Sequence, residues 1–170
     1  MATDPSTPRR PGLLRSATAA VRRWLAGRST VPSTASPAGY PGDFTGRLVP
    51  AYSPKPDGRP DPGEIVWTWV PFEEDHRQGK DRPVLLVGRD GPWLLALQLT
   101  SKDHDGYPGR SGRPRWVDIG SGAWDRQRRP SEVRVDRVVR VDPQAVRREG
   151  AVLPRPQFEA VARAVADLHR

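Results

Sequence analysis

GEIVWTWVPFEEDHRQGKDRPVLLVGRDGPWLLALQLTS, residues 63–101, is the stretch whose reading decides the fold. It holds three short runs rich in β-branched and aromatic residues, Glu64–Val70, Pro83–Gly88 and Trp93–Thr100, each closed off by Gly, Pro or Asp. Runs of that length between such breakers read as strands. In the first, Ile65, Trp67 and Trp69 alternate with Val66, Thr68 and Val70, so both faces carry bulk and neither is plainly solvated. Strands of that kind belong inside a small barrel or sandwich, with Trp67 and Trp69 in its core. Arg89-Asp90-Gly91-Pro92 joins the second and third runs as a hairpin turn, because an Asp-Gly pair tolerates the positive φ of tight turns. From Glu73 to Arg82 there is no apolar residue. A loop that polar, clamped between two buried strands, is where a rigid scaffold presents working residues.

Beyond Ser101, Lys102–Arg113 is a polar loop with three glycines, Arg115–Ile119 a fourth short strand, and Gly120–Pro130 a second loop carrying Trp124. Trp93, Trp116 and Trp124 are candidates for base stacking, and Trp116 and Trp124 for a surface or dimer interface. Glu132–Val141 is expected as one further strand. Period-two alternation puts Val133, Val135, Val139 and Val141 on one face and Arg134, Asp136, Val138 and Arg140 on the other, so Arg134 and Asp136 project side by side. Asp142-Pro143 opens a helical turn, with Asp as N-cap and Pro in the first position, followed by a short turn to Gly150. Phe158, Val161, Ala162, Val165 and Leu168 mark the apolar stripe of a C-terminal helix.

Toward the N-terminus the composition changes. Residues 1–60 carry nine Arg or Lys against three Asp, which is +6 of the net +8, so the overall pI overstates how basic residues 61–170 are. Leu13, Leu14, Ala17, Val21, Trp24 and Leu25 at helical spacing allow at most a short basic amphipathic helix over 13–26, since isolated helices of this length are marginal in water. The rest of 1–61 reads as a disordered Pro-, Ser- and Arg-rich extension. Within it the sparse apolar string Phe44, Leu48, Val49 and Tyr52 is suited to packing on the domain as an extended arm. Asp57-Gly58-Arg59-Pro60-Asp61-Pro62 marks the boundary, with a single domain over 62–170. The excess of 25 Arg over 3 Lys along the whole chain points to a high-GC coding bias rather than an organellar targeting segment. No apolar run reaches the ~18–20 residues that span a bilayer.

The absence of cysteine removes disulfides and thiolate metal sites and fits a reducing compartment, the bacterial cytoplasm being the expected one. Asp103-His104-Asp105 has no second cluster to complete a metal site, so no metal and no cofactor are expected. Taken singly, the polar residues of interest have plain readings. His76 is a solvated loop side chain, Arg82 and Thr100 are strand-end residues, and Arg134 with Asp136 is a surface ion pair worth about 0–1 kcal/mol.

Taken together they resemble the PemK/MazF toxins of bacterial toxin–antitoxin systems. The matching elements are GEIVW opening the first strand, His76-x-Gln78-Gly79-x-x-Arg82-Pro83 leading into VLLV, Thr100-Ser101 closing the third strand, Arg134-x-Asp136 in the last, and the C-terminal helix, over roughly residues 63–168. Arg77 stands where many family members carry Glu. The resemblance implies a mainly β, SH3-like barrel with a C-terminal α-helix. It further implies a homodimer and a metal-independent endoribonuclease of single-stranded RNA, neutralised by an antitoxin protein. It carries catalytic roles to His76, Arg82, Thr100, Arg134 and Asp136, with Arg77, Gln78, Lys80, Ser101 and Lys102 as neighbouring nucleic-acid contacts.

The chemistry can be argued beside that likeness. Cutting RNA without a metal needs a base for the 2′-hydroxyl proton, an acid for the leaving 5′-oxygen and cations for the phosphoryl charge. His76 or Asp136 suits the base, and His is the more natural group near neutral pH. Arg82 and Arg134 suit the phosphate through charge-assisted, bidentate hydrogen bonds, and a guanidinium is too weak an acid to be the natural proton donor. Thr100 would position the phosphate or a hydroxyl. A non-catalytic module on the same barrel, binding nucleic acid or protein, is the alternative, favoured by Arg77 and the acidic run Glu73-Glu74-Asp75.

Overall fold

The structure is a computed structural model that describes residues 39–102 and 115–168, without the side chains of Arg148 and Glu149. The expected helix over 13–26 and the Asp103-His104-Asp105 cluster lie outside the described residues. The strands are β1 (Glu64–Pro71), β2 (Gly79–Asp90), β3 (Trp93–Thr100), β4 (Trp116–Gly120), β5 (Ser131–Arg134), β6 (Val139–Val141) and β7 (Arg148–Val152), and one helix, α1 (Arg155–Leu168), closes the chain. They form a curled antiparallel sheet in the order β4-β5-β3-β2-β1-β7, with β6 also beside β3. The fold is mainly β with a C-terminal helix, as expected.

Three corrections follow from the register. The second strand begins at Gly79, not Pro83, because β1 keeps pairing through Val70↔Lys80 and Pro71↔Gly79. Polar side chains on a strand end escape a reading based on apolar runs. Where a short turn to Gly150 is expected, Arg148–Val152 is the edge strand β7 on β1. A β-bulge there, between Ile65 and Val66, accompanies the close approach of Gly150, where a Cβ would come within 2.6 Å of the Ile65 carbonyl oxygen. The expected strand Glu132–Val141 is two strands. Three residues of β3 separate Ala96 from Leu99, while six separate their partners Val139 and Val133. The three-residue excess is odd, so side chains change face across the break. Val133 and Val135 therefore lie in one core cluster and Val139 and Val141 in the other.

The turns and helix match their sequence signals. Gly91 takes φ +57° in the β2–β3 hairpin. Asp142 caps a 3₁₀ turn over Pro143–Ala145 by accepting from the Gln144 N–H at 2.8 Å. Helix α1 buries Phe158, Val161 and Val165 at i, i+3 and i+7 in the larger core, the cluster that also holds Leu85, Leu97 and Val133. Phe158→Ala is expected to remove about 3–5 kcal/mol of stability, read as a lower denaturant midpoint at unchanged slope.

Residues 39–62 run along this domain. Leu48 enters the larger core, Ala51 donates its N–H to the Val87 carbonyl at 2.8 Å, and Phe44 forms an isolated bridge with Val138. Tyr52 packs on Phe158 with the rings tilted by 58° and centroids 5.0 Å apart, and donates its hydroxyl to the Leu153 carbonyl at 3.0 Å. Gly63 answers to this contact: it has φ +102°, and a Cβ there would stand 2.8 Å from the Tyr52 ring. Trp69 is buried in accord with the sequence reading, and Trp67 is half-buried, donating to the Trp124 carbonyl at 3.2 Å. Trp124 is not a surface residue: it is 5% exposed within the larger core, its indole N–H donating to Ser131 Oγ at 3.0 Å.

Candidate functional site

The polar loop closes on its own backbone and on one carboxylate. Phe72 N–H donates to Gln78 O at 2.8 Å and Gln78 N–H to Asp75 O at 3.0 Å. Asp75 accepts from the Arg77 backbone N–H, from Arg77 Nε and from Gln78 Nε2, each at 3.0 Å. Those bonds, chiefly that from the Arg77 side chain, lower the Asp75 pKa to about 2. An Asp bonded to the backbone two residues on is a turn device. Gly79 ends the loop under the Trp69 ring, where a Cβ would lie 2.5 Å from Trp69 Cζ2. The Gln78-Gly79 pair thus has a packing reason as well as a positional one.

Strand alternation gathers the other candidates on one face. Arg82 and Lys80 share the side of Val84 and Leu86, and the β2–β3 register carries Arg82 toward the level of Thr100. Thr100 faces Glu132 across β3–β5, and Arg134, two residues on, faces Trp116 across β4–β5. Lys80, Arg82, Thr100, Glu132, Arg134 and Trp116 therefore project from the same face of the curled sheet. The charge there is concentrated: Arg82, and secondarily burial and Lys102, lower the Lys80 pKa. Burial and the neighbouring Arg137 cation lower that of Arg82, which nevertheless stays charged as arginines do. No carboxylate among the described residues pairs with Arg82. Thr100 Oγ1 accepts from the Lys102 backbone N–H at 3.2 Å, which fixes the chain as it leaves β3.

Arg134, by contrast, is clamped. Its Nε and Nη2 donate to Asp136 at 3.1 Å each, and its Nη1 donates to Glu73 Oε2 at 2.8 Å. Burial disfavours the charged guanidinium, but the hydrogen bonds from it to the two carboxylates outweigh that cost and raise its pKa. Asp136 also accepts the Arg115 N–H at 3.0 Å. Asp136 is thus occupied by donors, while Glu73 is the more exposed partner, with 57% of its side chain in solvent.

His76 faces the arm. Its Nε2 stands 3.8 Å from Asp43 Oδ1, and the Tyr40 ring packs edge-on against it at 5.2 Å. Asp43 in turn accepts from Arg137 Nε at 2.7 Å and Nη2 at 3.3 Å. Burial raises the Asp43 pKa, but hydrogen bonds from Arg137 and Tyr40 and the charges of Arg137 and His76 outweigh it, and the net shift is downward. Arg137 is 7% exposed.

The candidates thus fall into two groups, Arg134–Asp136 with Glu73, and His76 and Arg82 with Asp43 and Arg137; Lys80 and Thr100 share the face of Arg82, and Ser101 and Lys102 form an exposed bend after β3. Arg77 and Gln78 are tied to Asp75 instead. Asp43, Glu73 and Arg137 were not singled out as site residues by the sequence, whereas Trp116 was a stacking candidate. The β4–β5 register adds that Trp116 lies opposite Arg134, and nothing local marks the other three. Among the described residues no three His, Asp or Glu side chains are placed to hold a metal ion, and no helix is long and apolar enough to cross a membrane.

The model of the PemK-like, MazF-like toxin of type II toxin–antitoxin systems matches residues 61–169. The chain belongs to the PemK/MazF toxin family. The solved structures similar to it include two crystal forms of the MazE–MazF complex from Deinococcus radiodurans. Form II is 21% identical with a TM-score of 0.47, covering 66% of this chain and 97% of that one. Form III is 21% identical with a TM-score of 0.46, covering 65% and 95%. No curated protein sequence matches the chain. The family match spans β1 to α1, so the face carrying Arg82 and Arg134 belongs to the PemK/MazF domain, and the Tyr40–Asp43 segment lies before it.

Proposed function

We propose that this PemK/MazF family member is a metal-independent endoribonuclease that cuts single-stranded RNA, acts as a homodimer in the bacterial cytoplasm and is neutralised by a separate antitoxin protein. The observation that carries the reading is Arg82, a half-buried cation without a carboxylate partner among the described residues, flanked by Lys80 and Lys102 on a face that also holds Thr100 and Arg134. Such uncompensated, partly desolvated charge suits a polyanion. The domain boundary proposed is 61/62, the basic segment before it being an extension.

In the proposed step the 2′-hydroxyl oxygen attacks the adjacent phosphorus, forming the 2′-O–P bond of a cyclic phosphate as the P–O5′ bond breaks. His76 takes the 2′-hydroxyl proton, and the 5′-oxygen leaves with a proton from a protonated group or from solvent. Arg82 and Arg134 hold the charge that develops on the non-bridging oxygens. Asp136, already accepting from Arg134 and from Arg115 N–H, orients Arg134. Thr100 positions the phosphate, Gln78, Lys80, Ser101 and Lys102 line the strand's path, and Trp116 offers a base a stacking face. Arg77 works through Asp75 to shape the loop that carries His76.

A binding module without chemistry is the second reading, favoured by the two carboxylates that already hold Arg134. RNA and its 2′-O-methyl counterpart, incubated with the protein in EDTA, separate the two. The nuclease reading expects both strands bound and only the unmodified one cut. Cleavage of the methylated strand would overturn the mechanism, and binding of both without cleavage would leave the binding module.

A further inference from the structure

Arg137 is nearly fully buried, the only buried Arg or Lys among the described residues, and the carboxylate its fork meets does not come from the strands of the sheet. It comes from Asp43, in a segment that precedes β1 by about twenty residues. The two Arg137 nitrogens grip both Asp43 oxygens, the same fork that a guanidinium offers two oxygens of a phosphate. Asp43 Oδ1 also stands 3.8 Å from His76 Nε2. One carboxylate therefore lies between the buried cation and the histidine of the working loop, with Arg82 near by.

The segment carrying it is fastened mainly by side chains, with Phe44 packed on the larger core and under the Arg140 guanidinium. Tyr40 donates its hydroxyl to Asp43 and lays its ring edge-on against His76. Arg140 Nη1 donates to the Gly42 and Asp43 carbonyls at 2.9 and 3.0 Å, and a single bridge joins Phe44 to Val138. Gly39 and Gly42, with φ +96° and +94°, flank Tyr40 as natural pivots. An isolated bridge with a few side-chain bonds opens at far lower cost than a strand of the sheet.

We infer that Arg137, beside His76, forms a phosphate subsite for a flanking nucleotide of the bound strand, and that the chain closes this subsite with Asp43 of its own N-terminal arm. Nucleic acid then has to displace the Tyr40–Phe44 segment before the strand can lie along Arg82, which makes the arm an intramolecular competitor. The inference rests on the nucleic-acid-binding part of the proposed function but not on cleavage.

The test uses the full chain and a fluorescein-labelled 2′-O-methyl RNA oligonucleotide, whose affinity is read by anisotropy over a range of salt. Asp43→Asn is expected to bind about tenfold tighter than wild type. Adding Arg137→Gln to Asp43→Asn is expected to cancel that gain. Tyr40→Ala, which leaves the Arg137–Asp43 pair in place, should tighten binding to a smaller degree and decides the matter if Asp43→Asn does not fold. Unchanged or weaker affinity in folded Asp43→Asn, or in Tyr40→Ala should that variant have to decide, overturns the inference, as does binding by none of the proteins. Unmodified RNA is assayed in parallel. Tighter binding without cleavage keeps the subsite and removes the nuclease, whereas cleavage with no gain in affinity does the reverse.

Discussion

Arg82→Ala is expected to slow cleavage of single-stranded RNA by about 10²–10³-fold, the typical cost of removing one preorganised charge stabiliser. The expectation follows from the surroundings of Arg82. Its guanidinium is half-buried beside Arg137, and burial together with that second cation already lowers its pKa. A phosphoryl group arriving there relieves repulsion as well as gaining hydrogen bonds, so the interaction strengthens as negative charge builds in the transition state. The free protein should hold its fold, because the substitution removes an uncompensated charge and Val84–Val87 keep the strand packed. Arg82→Lys should recover little, since an ammonium cannot reproduce the planar fork. The check is kcat/KM for wild type and both variants, with the melting temperature alongside. An Arg82→Ala protein within a few-fold of wild type would remove Arg82 from the chemistry.

Arg134→Ala is expected to cost a similar factor in rate, with a structural penalty that Arg82→Ala does not carry. Arg134 holds the start of β4 to the end of β5 through Asp136, which also receives the Arg115 N–H, and it anchors Glu73 of the loop. Removing it leaves two carboxylates without their cation beside the RNA path, so affinity and turnover should both fall. Glu73→Gln isolates the other half of the arrangement. Glu73 is the exposed member of the cluster and competes with phosphate for Arg134 Nη1, so its neutralisation should tighten RNA binding and raise kcat/KM modestly. If Arg134→Ala lost stability but not activity, Arg134 would be a fastening of the loop and no more.

Much of this scaffold was legible in the residues. Gly, Pro and Asp breakers bracket β1 and β3, Asp90-Gly91 predicts the hairpin, and Phe158, Val161 and Val165 announce α1, because each signal is local and its cause lies within a few residues. What escaped is set by partners distant in sequence. The edge strand β7 is polar, and only its ladder with β1 makes it a strand. The face change between Val135 and Val139 depends on a three-residue excess measured against β3, which no period-two count within the strand can reveal. Of the site, Arg134 beside Asp136 could be read from alternation. Glu73 on Arg134, and Asp43 on Arg137 and His76, could not, since the arm and the loop carry no pattern that says where they land.

The measurement that bears most directly on the central claim is the chemistry of the RNA ends made by the wild-type protein in EDTA, with Arg82→Ala as the matched control. Cleavage by wild type is expected well above that control, leaving 2′,3′-cyclic phosphate on one fragment and a 5′-hydroxyl on the other. Cleavage no greater than that by Arg82→Ala, or fragments ending in 5′-phosphate, would contradict that claim.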